Sequence, residues 1–250
     1  MVVAKSWPQG KTFAFTVFDD TDNATLDNIR GVYSFLLDCG FRTTKSVWPI
    51  EGNEPVAPGK PFNRGVACDD PKYVRWLIEL QKAGFEIGYH GTTYHRSHRQ
   101  RIIQGLERFR DIFGHNPITM AQHVDTRENE AIYWGSNRVT GLNRGIYNLL
   151  TRNQHNNIFN GHIEGSKFFW GDICKEKIKY VRNFVFSDIN TLKACPYMPY
   201  HDPTKPYVNH WFASSEGPKV ESFNNCLSEK NQDRLEAEGG ACIMYTHFAN

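Results

Sequence analysis

Residues 13–20, FAFTVFDD, constrain the fold of this 250-residue chain more than any other segment. Their aromatic and β-branched side chains form an almost continuous apolar run without helical spacing, which is typical of a strand buried in a parallel sheet. The run ends in Asp19 and Asp20, at the strand end where parallel α/β sheets carry their active sites. Two adjacent carboxylates repel each other, so they predict a bound cation or a shared proton. In the competing interpretation, Asp20 or Asp22 simply caps the following helix.

Strands and helices are predicted to alternate along most of the remaining chain. The pattern of apolar residues and of Gly and Pro predicts helices over residues 26–40, 70–84, 100–113, 172–180 and 220–238, and further strands over residues 41–47, 85–89, 118–122, 184–186, 208–212 and 242–246. Residues 48–65 are rich in Pro and Gly and predict a loop, and residues 134–170 show only one clear apolar patch, IYNLL. This alternation predicts an α/β fold with a mainly parallel sheet, as one domain over residues 1–250.

Composition and charge exclude several classes of protein. Hydrophobic residues make up 40% of the chain, which indicates a packed globule. The net charge is +2 without any basic stripe, which argues against a nucleic-acid partner. The six cysteines include no CxxC pair and indicate a reducing compartment. Without an apolar leader or a run near the ~20 apolar residues of a membrane span, we expect a soluble, cytoplasmic protein.

Histidines follow three of the predicted strands at their carboxyl ends. His90 follows the strand over residues 85–89, His123 the strand over residues 118–122, and His247 the last strand. A single histidine at such a position is more often a hydrogen-bonded loop residue. Several of them on the same rim as Asp19 and Asp20 instead favour a metal site, because carboxylate and imidazole ligands suit Zn²⁺.

A second imidazole ligand is predicted close to His90. A loop that enters a helix can direct two imidazoles towards one cation when they are about one turn apart. His95 is five residues from His90 and is the nearer candidate, and His98 is the alternative.

The order of these motifs resembles the polysaccharide deacetylase family (NodB-like, carbohydrate esterase family 4). The matching segments are TVFDD at residues 16–20, HGTTYH at residues 90–95 and MYTH at residues 244–247, so the resemblance spans nearly the whole chain. It implies a distorted (β/α) barrel of about seven strands and a divalent metal, with Zn²⁺ expected first. It also implies that a helix that closes the family's barrel is missing from the C-terminal end.

The resemblance assigns a role to each of five residues. Asp19 would be the general base, Asp20 a metal ligand, and His247 the general acid. His90 and His95 would be the two imidazole ligands, although the family places its second histidine four residues after the first.

Two departures from the family pattern concern its second and third motifs. Gly91 stands where the family has Ser or Thr, and Tyr94 where it has the second histidine. The family's base-orienting arginine has no clear counterpart, and Arg127 is the candidate for it. His123 and Asp125 are candidates for a divergent site.

The function implied is hydrolysis of an N-acetyl group on a sugar, in bacterial surface-polysaccharide biosynthesis. The substrate would be a saccharide or a nucleotide sugar, bound by Trp211, Tyr207 and His123. Two alternatives stay open at this point. One is an enzyme for other non-peptide C–N bonds, in a small amide or a cyclic imide. The other is a metal-free carbohydrate-binding or scaffold protein that keeps the barrel without catalysis.

Overall fold

Parallel strands close into a barrel in the computed structural model, which describes residues 7–53, 64–124, 127–156 and 158–250. The strands are β1 Ala14–Asp19, β2 Thr44–Val47, β3 Glu86–Tyr89, β4 Thr119–Met120, β5 Tyr180–Phe186, β6 His210–Gly217 and β7 Ala241–Thr246. They follow one another around the barrel in chain order, and β7 closes the ring by pairing in parallel with β1. The predicted α/β fold and its seven-stranded barrel are therefore confirmed.

Helices in the connections surround the barrel. They are α1 Leu26–Asp38, α2 Pro71–Lys82, α3 Arg99–Phe113, α4 Gly141–Leu150, α5 Gly171–Lys177, α6 Thr191–Ala194, α7 Val220–Cys226 and α8 Glu229–Ala237. Their ends follow from local chemistry. Asp70 accepts hydrogen bonds from two backbone N–H groups at the start of α2, where Pro71 occupies the first turn. Gly114 ends α3 in the left-handed conformation, with φ of 80°.

The main core lies between the barrel and the helices α1, α2 and α3. Tyr33 of α1 is buried and makes edge-on ring contacts with Trp76 of α2 and with Phe85, at centroid distances of 5.3 and 5.5 Å. Such contacts fix the helices against the outside of the strands. The carboxyl ends of β1, β3, β4 and β7 are thereby held at one end of the barrel.

Two predicted helices differ from the structure, and the observed helix α4 was not predicted. The helix predicted over residues 220–238 is divided into α7 and α8, because Asn231 and Gln232 donate to the last carbonyls of α7. The helix predicted over residues 172–180 is shorter, because Tyr180 already pairs with His210 in the sheet. Residues 134–170, where only IYNLL stood out, contain the regular helix α4.

The helix-cap interpretation of the acids after β1 is wrong. Thr25 is the N-cap of α1 and forms a capping box with Asn28, so neither Asp20 nor Asp22 has that role. The acids are therefore free for other partners.

Within the described ranges, no helix is long and apolar enough to cross a membrane.

Candidate metal centre

Asp22, His90 and His123 converge at the carboxyl end of the barrel. Nε2 of His90 lies 3.0 Å from Oδ2 of Asp22, and Nδ1 of His123 lies 3.2 Å from Oδ1. One ligand atom from each of the three residues lies within 4.8 Å of the other two. His90 is almost fully buried, whereas Asp22 and His123 are partly exposed, so the cluster opens to solvent on one side.

His247 adjoins this cluster from the end of β7. Its Nε2 lies 3.3 Å from Oδ2 of Asp22, and its Nδ1 lies 3.4 Å from the carbonyl oxygen of Pro218. Its side chain is 13% exposed. Asp22 therefore accepts from three imidazoles, two of which share one carboxylate oxygen.

Trp48, which follows β2, packs against the imidazoles of His90 and His123. Its indole is fully buried and donates a hydrogen bond of 3.2 Å to the carbonyl oxygen of His90. Its ring centroid lies 6.1 Å from that of His90 and 5.8 Å from that of His123. Because this packing fixes ring positions, the two imidazoles are held in place before any ligand binds.

Asp19 is directed away from the cluster into a set of buried donors. Its Oδ2 accepts a hydrogen bond of 2.9 Å from the Tyr33 hydroxyl and forms an ion pair of 3.0 Å with Lys45. Its Oδ1 accepts from the backbone N–H of Phe248 at 2.9 Å. Asp19 and Lys45 are both buried. These contacts join the ends of β1, β2 and β7.

Asp20 is paired with Arg182, which comes from β5. The pair is bidentate, with Nη1 to Oδ1 at 2.9 Å and Nη2 to Oδ2 at 2.5 Å. Nδ1 of His90 lies 3.9 Å from Oδ1 of Asp20. The guanidinium of Arg182 is itself held over the Tyr245 ring at 4.3 Å. Asp20 therefore lies beside the cluster in a fixed orientation.

The three carboxylates differ in the kind of cation that neutralises them. Asp19 has a lysine and Asp20 an arginine, whereas Asp22 has imidazoles. Burial raises the pKa of Asp22, but hydrogen bonds from His123, His247 and His90 outweigh burial and hold that pKa well below its usual range. Burial lowers the pKa of His123 and of His247, and the Asp22 carboxylate outweighs this and raises both. Asp22 is thus the acid whose partners are imidazoles, which are titratable side chains, and not a lysine or an arginine.

The donor set of this cluster fits a divalent transition metal. Two imidazoles and one carboxylate are the usual protein ligands of a catalytic Zn²⁺ site, which keeps a further position open. Nδ1 of His90 is buried without a hydrogen-bond partner, so a buried polar atom directly beside the cluster is unsatisfied as it stands. The protons that the imidazoles share with Asp22 are those a cation would replace.

Comparisons with known proteins give a structural likeness without a sequence match. No protein-family model matches the chain, and no curated protein matches it. The solved structure of Puue allantoinase is 10% identical with a TM-score of 0.51, over 100% of this chain and 82% of that one. The catalytic domain of a peptidoglycan N-acetylglucosamine deacetylase from Eubacterium rectale ATCC 33656 is 12% identical with a TM-score of 0.37, over 100% and 98% of the two chains.

The chain shares the fold of that allantoinase. At this identity the likeness concerns the barrel, so the chemistry has to be argued from the side chains. Membership of the polysaccharide deacetylase family stays a prediction.

The structure gives His95 and His98 positions outside the converging group. His95 is buried with its ring 5.0 Å from that of Tyr94, and its Nε2 has no hydrogen-bond partner. His98 begins α3 and packs against Phe168 at 4.9 Å. Arg127 follows β4, where its carbonyl oxygen accepts from Asn129. Within the described part of the chain, Asp22, His90 and His123 are the side chains found to converge. Asp125 lies outside the described residues.

The aromatic residues predicted to bind a saccharide differ in accessibility. Trp211 is fully buried behind Tyr133, with ring centroids 6.4 Å apart, so its faces are covered by protein. Tyr207 is partly exposed and its hydroxyl bonds to Glu164. Of the three residues predicted to bind substrate, His123 is the one in the cluster.

Sequence reasoning missed Asp22, Lys45 and Arg182 as site residues. Asp22 follows directly after the acidic pair, and the segment DDTD carried a signal in its third acid. Arg182 lies in the mostly apolar strand β5, where a charged residue signals a buried ion pair. Lys45 lies in β2 between Thr44 and Ser46, where no apolar run marks it. The acid with which Lys45 or Arg182 forms its ion pair depends on how the strands are arranged in the closed barrel.

Proposed function

We propose that this protein is a metal-dependent hydrolase of a non-peptide C–N bond and that its preferred substrate is an N-acetylated sugar. The observation that carries the proposal is the convergence of Asp22, His90 and His123 beside His247 at the open end of the barrel. This is the end of a parallel barrel at which enzymes of this architecture carry their active sites.

The metal ligands in this proposal are Asp22, His90 and His123. Asp22 replaces Asp20 of the sequence-based assignment, because Asp20 is engaged by both nitrogens of Arg182. His123 replaces His95, because its nitrogen faces Asp22 at 3.2 Å. A divalent ion at this position supplies Lewis acidity at the amide carbonyl and lowers the pKa of water there.

Asp20 and His247 are the proposed proton carriers. Asp20 has two of its acceptor positions filled by Arg182, which leaves positions for the proton of an attacking water. Asp19 has three donors already and holds the strands together instead. His247 has a raised pKa, because Asp22 and Asp20 outweigh its burial, so it can carry the proton that the departing amine needs.

The sugar substrate rests on the sequence resemblance and on the shape of the site. The motif TVFDD contains the acids and the motif MYTH contains His247, and these motifs follow one another along the chain in the same order as in sugar deacetylases. Asp22, His123 and His247 are each partly exposed, so an acetamido group can reach the cluster from solvent. A saccharide or nucleotide sugar in the cytoplasm, as a precursor of a bacterial surface polysaccharide, is the proposed substrate.

The test measures metal content and turnover in the same preparation. Purified protein is loaded with Zn²⁺, its metal is quantified by mass spectrometry, and acetate release is measured from N-acetylated saccharides and nucleotide sugars. We expect one metal ion per chain and release of acetate that stops on chelation. His123→Asn should lose both metal and activity, whereas the matched control His98→Asn should keep both. A protein that binds no metal and releases no acetate after loading would contradict the proposal and favour a non-catalytic barrel.

A second substrate class is favoured by the fold likeness to Puue allantoinase. The same cluster would then open a small amide or a cyclic imide, as an allantoinase opens a ring. Such compounds therefore form a second arm of the assay. Turnover of small amides with no acetate from any saccharide would retain the C–N hydrolase and reject the sugar substrate.

A further inference from the structure

The helix α4 presents its apolar side to solvent. Leu142, Leu149 and Leu150 are 81%, 78% and 79% exposed, and Ile146 is 48% exposed. No residue of α4 is buried. A surface helix of a globular protein ordinarily turns its apolar stripe to the core, and α4 does the opposite. A patch of four adjacent exposed aliphatic side chains marks an interaction surface.

The polar side of α4 attaches the helix to the protein. Tyr147 is half-buried, and its hydroxyl lies 2.7 Å from Nδ1 of His155. Thr151 donates to the carbonyl oxygen of Tyr147 at 2.9 Å. The adjoining turn is fixed by a hydrogen bond of 3.0 Å from Ser136 to Asn156. Tyr147 is about 140° around the helix from Leu142 and about 160° from Leu149, so its contact with His155 leaves these leucines available to a partner.

The charge around α4 indicates the kind of partner. No acidic residue occurs between Glu130 and Glu164, although 27 of the 250 residues are Asp or Glu. The same stretch contains Arg138, Arg144 and Arg152. The summed positive charge of these three arginines exceeds the net charge of the whole chain, which is +2. Arg144 and Arg152 are exposed. Arg144 is two residues from Leu142 and from Ile146, which is about 200° around a helix, so the basic and apolar sides are separate.

This combination fits an anionic lipid surface better than a second protein chain. Interfacial helices place leucines in the boundary between headgroups and acyl chains and arginines at the level of the headgroups. Contact with a second copy of this chain would bring two acid-free, arginine-containing stretches together, and like charges oppose that. We propose that α4 docks the protein onto an anionic membrane surface, with Leu142, Leu149 and Leu150 inserted and with the positive charges of Arg144 and Arg152, on the polar side, attracted by the anionic headgroups.

The docking helix belongs to the connection that begins with His123. This connection leaves β4 at the end of the barrel that carries the metal centre and continues through α4 to α5. Docking through α4 depends only on the exposed helix and its arginines, and its test does not use the activity of the site.

The experiment measures sedimentation of the intact protein with lipid vesicles. Vesicles of phosphatidylcholine mixed with phosphatidylglycerol are compared with vesicles of phosphatidylcholine alone. We expect binding to the anionic vesicles that weakens as salt is raised. The variant L142S/L149S/L150S should bind at least about tenfold less, because the inserted apolar area is lost. R144Q/R152Q should lose about fivefold per arginine, which corresponds to about 1 kcal/mol each.

The control variant is Phe35→Ser, which removes an apolar side chain of α1 that is 64% exposed. It should bind vesicles as the wild type does. Thermal melting by circular dichroism should be unchanged in the triple variant, because its substituted residues are exposed. The proposal is contradicted if the wild type does not sediment with anionic vesicles, or if the triple variant binds these vesicles as well as the wild type does. It is also overturned if sedimentation velocity shows a dimer that the triple variant dissociates while vesicles bind neither protein.

Discussion

Asp19, Asp20 and Asp22 lie within four residues of chain and have different chemical roles because their partners differ. Lys45 neutralises Asp19, Arg182 neutralises Asp20, and imidazoles face Asp22. A buried carboxylate is stable only when it is paired and hydrogen-bonded. The permanently charged partners therefore hold Asp19 and Asp20 in fixed orientations, and the titratable partners leave Asp22 available to a metal.

Lys45→Met is predicted to destabilise the protein by about 3–5 kcal/mol, because it leaves the buried Asp19 carboxylate without its cation. The free energy of unfolding, measured by urea titration, should fall by that amount. The double variant Asp19→Asn/Lys45→Met removes both charges and should recover much of the loss. Equal stability of the single variant and the wild type would show that the pair contributes little to the fold.

Asp20→Asn is predicted to lower kcat by about 10²–10⁴-fold, the usual contribution of a general base. Metal content should stay unchanged, because Asp20 is not among the proposed ligands. Asp19→Asn is the matched comparison. It should lower thermal stability while the remaining folded enzyme keeps most of its kcat. The reverse result, with kcat lost in Asp19→Asn and kept in Asp20→Asn, would restore Asp19 as the base.

The imidazoles predict how pH affects the metal-free protein. The pKa values of His123 and His247 are raised by Asp22 in the folded state, and unfolded histidines titrate near about 6.5. Their contribution to stability is therefore complete below that pH and is lost as pH rises through the raised values. We expect the free energy of unfolding to decline above about pH 6.5, while Zn²⁺ affinity increases as the imidazoles lose their protons.

Asp22→Asn tests the cause of this pH dependence. It removes the carboxylate that raises both pKa values, so the decline in stability with pH should flatten. A wild type whose unfolding free energy rises over this interval, or a variant with the same slope, would contradict the assignment.

At the scale of elements, the loop after β3 depends on a close approach to α3. A Cβ added to Gly105 of α3 would lie 2.6 Å from Cγ2 of Thr92, and Thr92 is two residues from His90. Thr92 is also held by the Tyr89 hydroxyl at 2.7 Å. Only a residue without a side chain lets this helix pack against the loop that carries His90.

Gly105→Ala is predicted to destabilise the protein by about 1–3 kcal/mol through overpacking against Thr92, and to weaken Zn²⁺ binding by displacing His90. Chemical denaturation and isothermal titration calorimetry measure the two effects. Gly31→Ala in α1 is the control, since a Cβ there meets no atom within 4 Å. It should stabilise the protein by about 0.5–1 kcal/mol, because alanine favours a helix over glycine. Equal effects of the two substitutions would exclude the packing argument.

Elements with a strong apolar pattern could be predicted, and those shaped by side-chain hydrogen bonds could not. The strands β1, β3 and β7 are apolar runs that end in acids or histidines, and their positions were predicted within a residue or two. The division between α7 and α8 depends on Asn231 and Gln232 reaching back to carbonyls, which no apolar spacing reveals. The helix α4 was not predicted because its sequence, GLNRGIYNLL, contains glycines and asparagines, which disfavour helices.

At the scale of the whole molecule, closure of the barrel assembles the site from distant parts of the chain. Parallel pairing of β7 with β1 brings His247 to Asp22, which lies at the other end of the sequence. The sequence could predict that acids and histidines follow strands, and hence share one rim. It could not predict which imidazole meets which acid, because that depends on the positions of neighbouring strands around the ring. Arg182 meets Asp20 across 162 residues for the same reason.

The most direct test of the account locates the metal itself. Crystals of the protein soaked in Zn²⁺ are measured on both sides of the zinc absorption edge, and an anomalous difference map gives the ion position. The account predicts one strong peak about 2.0–2.2 Å from Asp22, His90 and His123, and no such peak in Asp22→Asn. A peak at His95 or His98 away from Asp22, or no peak in the wild type after soaking, would contradict it.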